Sequence, residues 1–123
     1  MTNTIPFILC VDDDQLNLEL LEAYLEDDYE LLLVTDGQQC LDAVKQRAPD
    51  IILLDVMMPV MDGKEACKRL KSSPDTQDIP VIMLTGRSFP GDIEEMRDLG
   101  ADEVLTKPFD VAQLMAAISK HTS

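Results

Sequence analysis

The sequence has few of the residues that most often carry metal or nucleophilic chemistry. Its one histidine, His121, is the third residue from the end, where a frayed side chain is expected. Its three cysteines, Cys10, Cys40 and Cys67, form no Cys-x-x-Cys pair and lie in apolar or helical patterns. We therefore expect buried, reduced thiols, and neither a zinc site nor catalysis by histidine.

The sequence also has no long apolar run, and it has no basic residue in its first 44 positions. No stretch reaches the roughly 18–20 apolar residues of a membrane span, and residues 1–6 show no signal-peptide pattern, so we expect a soluble, cytoplasmic protein. Residues 1–44 contain eleven acids and no Lys or Arg, and the whole chain has a formal net charge of -14. That charge opposes binding to nucleic acid or to anionic lipid, so neither is an expected partner.

The composition that remains is that of a globular domain. Hydrophobic residues make up 46% and charged residues 28% of the 123 residues, a balance that supports one well-buried domain core. No linker, low-complexity segment or long repeat divides the chain. We expect residues 1–123 to form a single domain.

Short apolar runs alternate with segments of helical spacing. The runs predict strands at 7–11, 31–34, 51–54, 81–84 and 103–106. After each run, apolar residues recur at helical spacing and predict a helix. The first helix has Leu18, Leu21 and Leu25, with Leu20 and Tyr24, on its apolar face, and the second has Leu41, Val44 and Ala48 and ends before Pro49. The other three helices are predicted at about 63–71, 92–99 and 110–119. Because strand–helix units favour parallel pairing through right-handed crossovers, the predicted fold class is α/β, a doubly wound five-stranded parallel sheet with five helices.

Polar side chains stand where the predicted strands end. They are Asp12, Asp13 and Asp14 after the first strand, Asp55 after the third, Thr85 after the fourth and Lys107 after the fifth. Ligands of such sheets bind outside the carboxyl ends of the strands, near the point where the strand order reverses. Several carboxylates with one hydroxyl and one ammonium would form a cation site beside a phosphate-sized space, and Mg²⁺ suits these oxygen ligands.

Four segments, read in order, resemble a known family. They are Val-Asp-Asp at 11–13, the stretch 50–63 from Asp-Ile-Ile-Leu-Leu-Asp to Met-Asp-Gly, Leu-Thr-Gly at 84–86 and Lys-Pro-Phe at 107–109. Together they closely resemble the receiver domain of two-component response regulators, a flavodoxin-like (βα)5 fold. The resemblance covers essentially the whole chain, and the set of motifs is far more specific than any one of them.

The resemblance implies a phosphoacceptor and a Mg²⁺ site. Asp55 corresponds to the acid that takes a phosphoryl group from a histidine and becomes an acyl phosphate. Asp13, Asp55 and the backbone carbonyl of Met57 correspond to direct Mg²⁺ ligands, and Asp12 to the acid that usually acts through water. Asp14 stands where the family often has Glu, so we expect it to cap the following helix.

The resemblance also implies a switch. Lys107 is expected to pair with Asp55 and then with a phosphoryl oxygen, and Thr85 to donate its hydroxyl to another such oxygen. Met57 and Arg87 stand at positions that tune the lifetime of the phosphoryl group. Val104 stands where an aromatic residue commonly moves with the threonine, which leaves aromatic gating open.

The expected function is therefore a phosphoacceptor switch of a two-component phosphorelay. Its expected partners are a sensor histidine kinase or a histidine phosphotransfer protein upstream, and an effector protein or a linked effector domain downstream. Homodimerisation on phosphorylation stays open. The chain is not expected to be an enzyme beyond its own phosphorylation and dephosphorylation.

The same residues bear on three other possible functions. A haloacid-type phosphoaspartate hydrolase needs a second Asp two residues after Asp55, and Met57 stands there. A flavodoxin-like FMN carrier would need a phosphate cradle after the first strand, where Asp12, Asp13 and Asp14 would repel the phosphate. A receiver-shaped adaptor that works without phosphorylation is the alternative that stays open.

Overall fold

Parallel strands form the centre of the protein, as predicted. The structure, a computed structural model, describes residues 5–58, 61–86, 91–107 and 110–122. The strands β1 to β5 are Phe7–Val11, Glu30–Val34, Ile51–Asp55, Val81–Thr85 and Glu103–Thr106. The helices α1 to α5 are Gln15–Leu25, Gly37–Gln46, Gly63–Ser72, Asp92–Asp98 and Val111–Thr122.

The strand order is β2-β1-β3-β4-β5, and every neighbouring pair is parallel, which confirms the predicted fold class. The order reverses between β1 and β3, because β2 lies on one side of β1 and the later strands lie on the other. The register pairs Val11 with Leu54 and Asp55 with Leu84. The residues just after β1 therefore lie beside the end of β3 at the switch point, where ligands of such sheets bind.

Alternate residues of the central strands face two separate cores. One core packs β1, β3 and β4 against α2, α3 and α4, and the other packs the same strands against α1 and α5. Every residue of these three strands is buried, whereas the edge strands β2 and β5 are partly exposed. This pattern explains why the central strands are continuous apolar runs rather than alternating ones. None of the helices among the described residues is both long and apolar enough to cross a membrane.

Aspartates begin most of the helices. Asp14, Asp36 and Asp62 are the N-caps of α1, α2 and α3, and each accepts a hydrogen bond from a backbone N–H of the first turn. Asp110 accepts in the same way from the backbone N–H of Ala112, at 2.7 Å, at the start of α5. The expected capping role of Asp14 is thereby confirmed, and each carboxylate also interacts favourably with the helix dipole.

The cysteines are buried, as predicted. Cys10, Cys40 and Cys67 are free thiols inside the two cores. Burial raises the pKa of Cys10 and of Cys40 to about 12, and that of Cys67 to about 11. Because the thiolate is the reactive form, these side chains are inert packing groups in the folded protein.

Three local expectations were wrong. Ala48 was expected on the apolar face of α2, but the helix ends at Gln46 and Ala48 is exposed outside it. The helix ends there because Arg47 has an extended backbone, pairs with Glu30 and lies over the ring of Phe7. Leu20 and Tyr24 are exposed, at 40% and 42%, since they lie on the side of α1 away from its buried leucines. His121 is not frayed: α5 continues to Thr122 and brings its Nε2 to 3.4 Å from Oε1 of Glu103.

Gly63 lets the start of α3 approach the end of β3. Its backbone N–H donates to the carbonyl oxygen of Val56 at 2.7 Å. A Cβ added at Gly63 would lie 1.9 Å from the backbone oxygen of Asp55, far inside any permitted contact. Only a residue without a side chain allows this approach, and the contact locates α3 against the residue that closes β3.

The substitution Gly63→Ala should therefore destabilise the fold. We expect the free energy of unfolding to fall by about 1–3 kcal/mol, since the clash is with backbone and either α3 or the end of β3 must move. Gly86→Ala is the matched control, because none of the described atoms lies within 4 Å of a Cβ built there. Urea denaturation of the two variants measures the difference, and equal stabilities would contradict the packing described.

Candidate phosphoryl and metal site

Three aspartates and one lysine meet at the reversal of strand order. Asp12 and Asp13 follow β1, Asp55 closes β3, and Lys107 follows β5. Each of the three acids offers a carboxylate oxygen, and these oxygens lie within 4.8 Å of one another. Asp12 and Asp55 are buried, whereas Asp13 is exposed, so the group has a closed side and a side open to solvent.

Lys107 bridges the two buried acids. Its Nζ lies 2.8 Å from Oδ2 of Asp12 and 2.8 Å from Oδ1 of Asp55. Only the pairing with Asp55 was expected; the equal pairing with Asp12 was missed, because sequence order does not reveal which carboxylate lies within reach of a lysine. The ammonium joins the ends of β1, β3 and β5 in one contact.

The charges of this group act on one another. Burial raises the pKa of Asp55, the hydrogen bond from Lys107 opposes that rise, and the charge of Asp12 adds to it, so the pKa lies above its ordinary value. Burial lowers the pKa of Lys107, but the hydrogen bonds to Asp12 and Asp55 outweigh it and hold the ammonium charged. The pair of buried carboxylates is thus tolerated because a cation lies between them.

Asp12 has both carboxylate oxygens engaged. Its Oδ1 accepts from the backbone N–H of Asp14 at 2.9 Å, while Oδ2 accepts from Lys107. The Asp14 contact fixes the turn that carries Asp13 outward. Asp13 is therefore the acid of this group whose side chain is most accessible from solvent.

The site suits a small, hard cation by its donor chemistry. Carboxylate oxygens are the ligands Mg²⁺ prefers, and two oxygens on opposite sides of the ion would be about 4.2 Å apart. The three acids of this structure lie at a comparable spacing, within 4.8 Å. One exposed acid and two buried ones would leave further coordination positions to water or a ligand.

Two adjoining cavities open at this end of the sheet. The smaller, of about 270 Å³, is lined by Asp12, Asp13, Asp14, Asn17, Asp55, Met57, Gly86 and Lys107. The larger, of about 680 Å³, is lined by Asp13, Val56, Met57, Met58, Asp62, Lys64, Thr85, Asp92 and Met96. Asp13 and Met57 line both, so the acid group is continuous with a larger cleft beneath α4.

The remaining residues of the expected site are placed as follows. Thr85 is buried, ends β4 and lines the larger cavity. Met57 is 64% exposed between the two cavities. Val104 is a half-buried aliphatic residue of β5 beside Met83, and Arg87 lies outside the described residues.

Lys64 lines the larger cavity and was missed by sequence reasoning. It is the second residue of α3, and its Nζ lies 3.3 Å from Oε1 of Glu95 in α4. No motif marks it, since a lysine after Asp-Gly at a helix start has the pattern of an ordinary exposed side chain. Only the packing of α3 against the end of β3 brings it to the cleft.

Loss of Lys107 should destabilise the protein when no divalent cation is present. Lys107→Met leaves two buried carboxylates facing each other, so we expect a loss of about 1–3 kcal/mol in the free energy of unfolding. Lys120→Met is the control, since the Lys120 side chain is 69% exposed and its ion pair with Glu103 should contribute no more than about 1 kcal/mol. Denaturation in EDTA compares them; a smaller effect at Lys107 than at Lys120 would refute the bridging role.

Comparison with known proteins agrees with this geometry. A family model described as the response regulator receiver domain matches residues 8–119. The chain is 44% identical over 116 residues to the response regulator PleD of Caulobacter vibrioides, and 40% identical over 119 residues to the DNA-binding dual master transcriptional regulator RpaA of Synechocystis. The matches cover 94% and 92% of this chain but only 26% and 47% of those relatives, so the chain spans half of their length or less.

Solved structures show the same fold. The receiver domain of the sensor histidine kinase PA1611 from Pseudomonas aeruginosa, with a magnesium ion coordinated in its active site cleft, aligns with a TM-score of 0.88 at 31% identity, over 97% of this chain and 98% of that one. The signal receiver domain of a histidine kinase from Syntrophus aciditrophicus aligns with a TM-score of 0.89 at 36% identity, over 95% of this chain and 89% of that one. On fold, site geometry and sequence, the chain belongs to the response regulator receiver domain family, whose members are signalling regulators of two-component systems.

Proposed function

We propose that residues 1–123 form one receiver domain that acts as a cytoplasmic phosphoacceptor switch, with Asp55 as the phosphorylated residue. The observation that carries the proposal is the bridged acid group: a buried Asp55 carboxylate, 2.8 Å from Lys107 and beside an exposed Asp13, at the edge of an open cleft. The phosphoryl donor is a phosphohistidine of a sensor kinase or of a histidine phosphotransfer protein.

The transfer step uses these side chains directly. A carboxylate oxygen of Asp55 attacks the phosphorus, a P–O bond forms, and the P–N bond breaks with its electron pair passing to the imidazole, which takes up a proton. Lys107 neutralises negative charge on a phosphoryl oxygen, and such positioned charge is the main contribution that phosphoryl transfer needs. Thr85, buried at the end of β4, donates its hydroxyl to a second oxygen.

Asp13 and Asp55, with the backbone carbonyl of Met57, would hold Mg²⁺. The chemistry that Mg²⁺ supplies when bound is neutralisation of the acids and of the phosphoryl oxygens. The two engaged oxygens of Asp12 support a role for this residue through water rather than by direct coordination.

The output is a change on the α4 and β5 surface. Movement of Thr85 toward the phosphoryl group shifts the loop after β4, and with it the start of α4. Val104 in β5 is aliphatic, so the shift proceeds without an aromatic side chain there. Met57, exposed between the two cavities, and Arg87 adjust the lifetime of the phosphoryl group.

The partner that reads this surface is an effector protein, a linked effector domain or a second copy of the chain. Relatives such as RpaA are named as DNA-binding regulators and are longer than this chain. The net charge of -14 argues that this domain itself does not contact DNA.

Phosphorylation is tested with acetyl phosphate and Mg²⁺. Intact-mass spectrometry should show a gain of one phosphoryl group on the wild type, and none on Asp55→Asn, because the attacking carboxylate is gone. Asp28→Asn, which removes an exposed acid from the turn after α1, should be modified like the wild type. A wild type that gains no mass would instead favour an adaptor that works without phosphorylation.

The metal assignment is tested by Mg²⁺ titration. Asp13→Ala should weaken Mg²⁺ binding by about tenfold or more, since a ligand is removed, whereas Asp28→Ala removes the same charge far from the site and should change it little. Calorimetry without any phosphoryl donor measures both. Unchanged affinity in Asp13→Ala would rule Asp13 out as a ligand.

A further inference from the structure

Lys64, which lines the larger cavity, forms an ion pair with Glu95 and so joins α3 to α4. Their charged atoms are 3.3 Å apart, and their side chains are 28% and 54% exposed. Lys64 is held in place because it follows Gly63, which packs against the backbone of Asp55. The lysine end of the pair is therefore anchored to the phosphoacceptor strand, while the Glu95 end belongs to α4.

Helix α4 is a short element with little buried surface. It has seven residues, its N-cap Gly91 provides no side-chain hydrogen bond, and Met96 is its one buried residue. Gly91 and Gly100 flank it with positive φ, at 92° and 108°. Among ion pairs between described residues, Lys64–Glu95 is the one that links α4 to another element. A helix with so little buried surface is expected to open locally at a lower free energy than the core of the fold.

Two adjoining cavities connect Lys64 with the acid group. Lys64 lines the larger cavity with Asp13 and Met57, and these two also line the smaller cavity with Asp55 and Lys107. A phosphoryl group on Asp55 would add about 1.5–2 negative charges there. Lys107 is already shared between two carboxylates, so Lys64 is the further cation that the described lining of these cavities offers to that charge.

We propose that Lys64 is a charge-sensing residue, which holds α4 through Glu95 in the unphosphorylated chain and turns to the phosphoryl oxygens when Asp55 is phosphorylated, releasing α4. The inference rests on the proposed function, because it concerns the phosphoryl group of Asp55. A partly exposed ion pair suits this change of partner, because its net stabilisation is small. The larger negative charge of a phosphoryl group can then compete with Glu95 for the Lys64 ammonium.

The proposal predicts opposite effects of the two partners on phosphoryl binding. Glu95→Gln releases Lys64 and should tighten the binding of beryllofluoride, a phosphoryl mimic, by about two- to fivefold in the presence of Mg²⁺. Lys64→Gln removes the group that contacts the mimic and should weaken binding by a similar factor. The double variant should behave like Lys64→Gln. Calorimetric titration at fixed ionic strength measures all three.

The same variants should affect α4 in the same direction. Without the mimic, both Glu95→Gln and Lys64→Gln should speed hydrogen exchange of the α4 amides by about two- to fivefold, since each breaks the ion pair. Glu94→Gln and Lys68→Gln are matched controls: they remove the same charges from neighbouring exposed positions of α4 and α3 and should change neither measurement.

The outcomes distinguish a failure of the charge-sensing role of Lys64 from a failure of the proposed phosphoacceptor function. A wild type that binds no beryllofluoride overturns both. If the wild type binds it but the two variants shift its affinity in the same direction, or neither shifts it, Lys64 is only a structural partner of Glu95 and the charge-sensing role is wrong. Opposite shifts with faster α4 exchange in both variants support it.

Discussion

The ammonium of Lys107, shared between Asp12 and Asp55, is the contact on which the rest of the site depends. Two carboxylates buried side by side would repel each other and pay heavily for desolvation. The lysine offsets both terms at 2.8 Å from each acid and ties β5 to the central strands. A carboxylate can thus be buried at the end of β3 with a cation beside it. The charges of this group are balanced only in part, because three carboxylates lie around one ammonium.

The acidity of the chain divides into parts with separate physical roles. Some acids end loops and begin helices, as Asp14, Asp36 and Asp62 do, where each satisfies a backbone N–H. Another part forms the acid group at the switch point of the sheet. The acids after α1 remain exposed and leave this side of the molecule strongly negative. The net charge does not reveal this division, because a helix-capping Asp, an Asp of the acid group and a solvated acid each contribute one negative charge.

The fold could be predicted from sequence because its central strands are buried on both faces, which makes them continuous apolar runs ending in polar residues. Helix edges were less predictable: Arg47 ends α2 through contacts with Glu30 and Phe7 that only the folded sheet creates. That Asp12, Asp13, Asp55 and Lys107 lie together could be predicted, because parallel strands gather their carboxyl ends. The second partner of Lys107 and the location of Lys64 could not, since both depend on side-chain reach across elements distant in sequence.

The packing of Gly63 against Asp55 has a mechanical consequence. On one side of Asp55, the end of β3 and the first turn of α3 are held together by backbone contacts without space for a methyl group. On the other side, Met96 is the one buried residue of α4. A group added to Asp55 would therefore meet close-packed backbone on one side and a lightly packed helix on the other. Under the proposed function, this difference in packing would direct the displacement toward α4 before any partner binds.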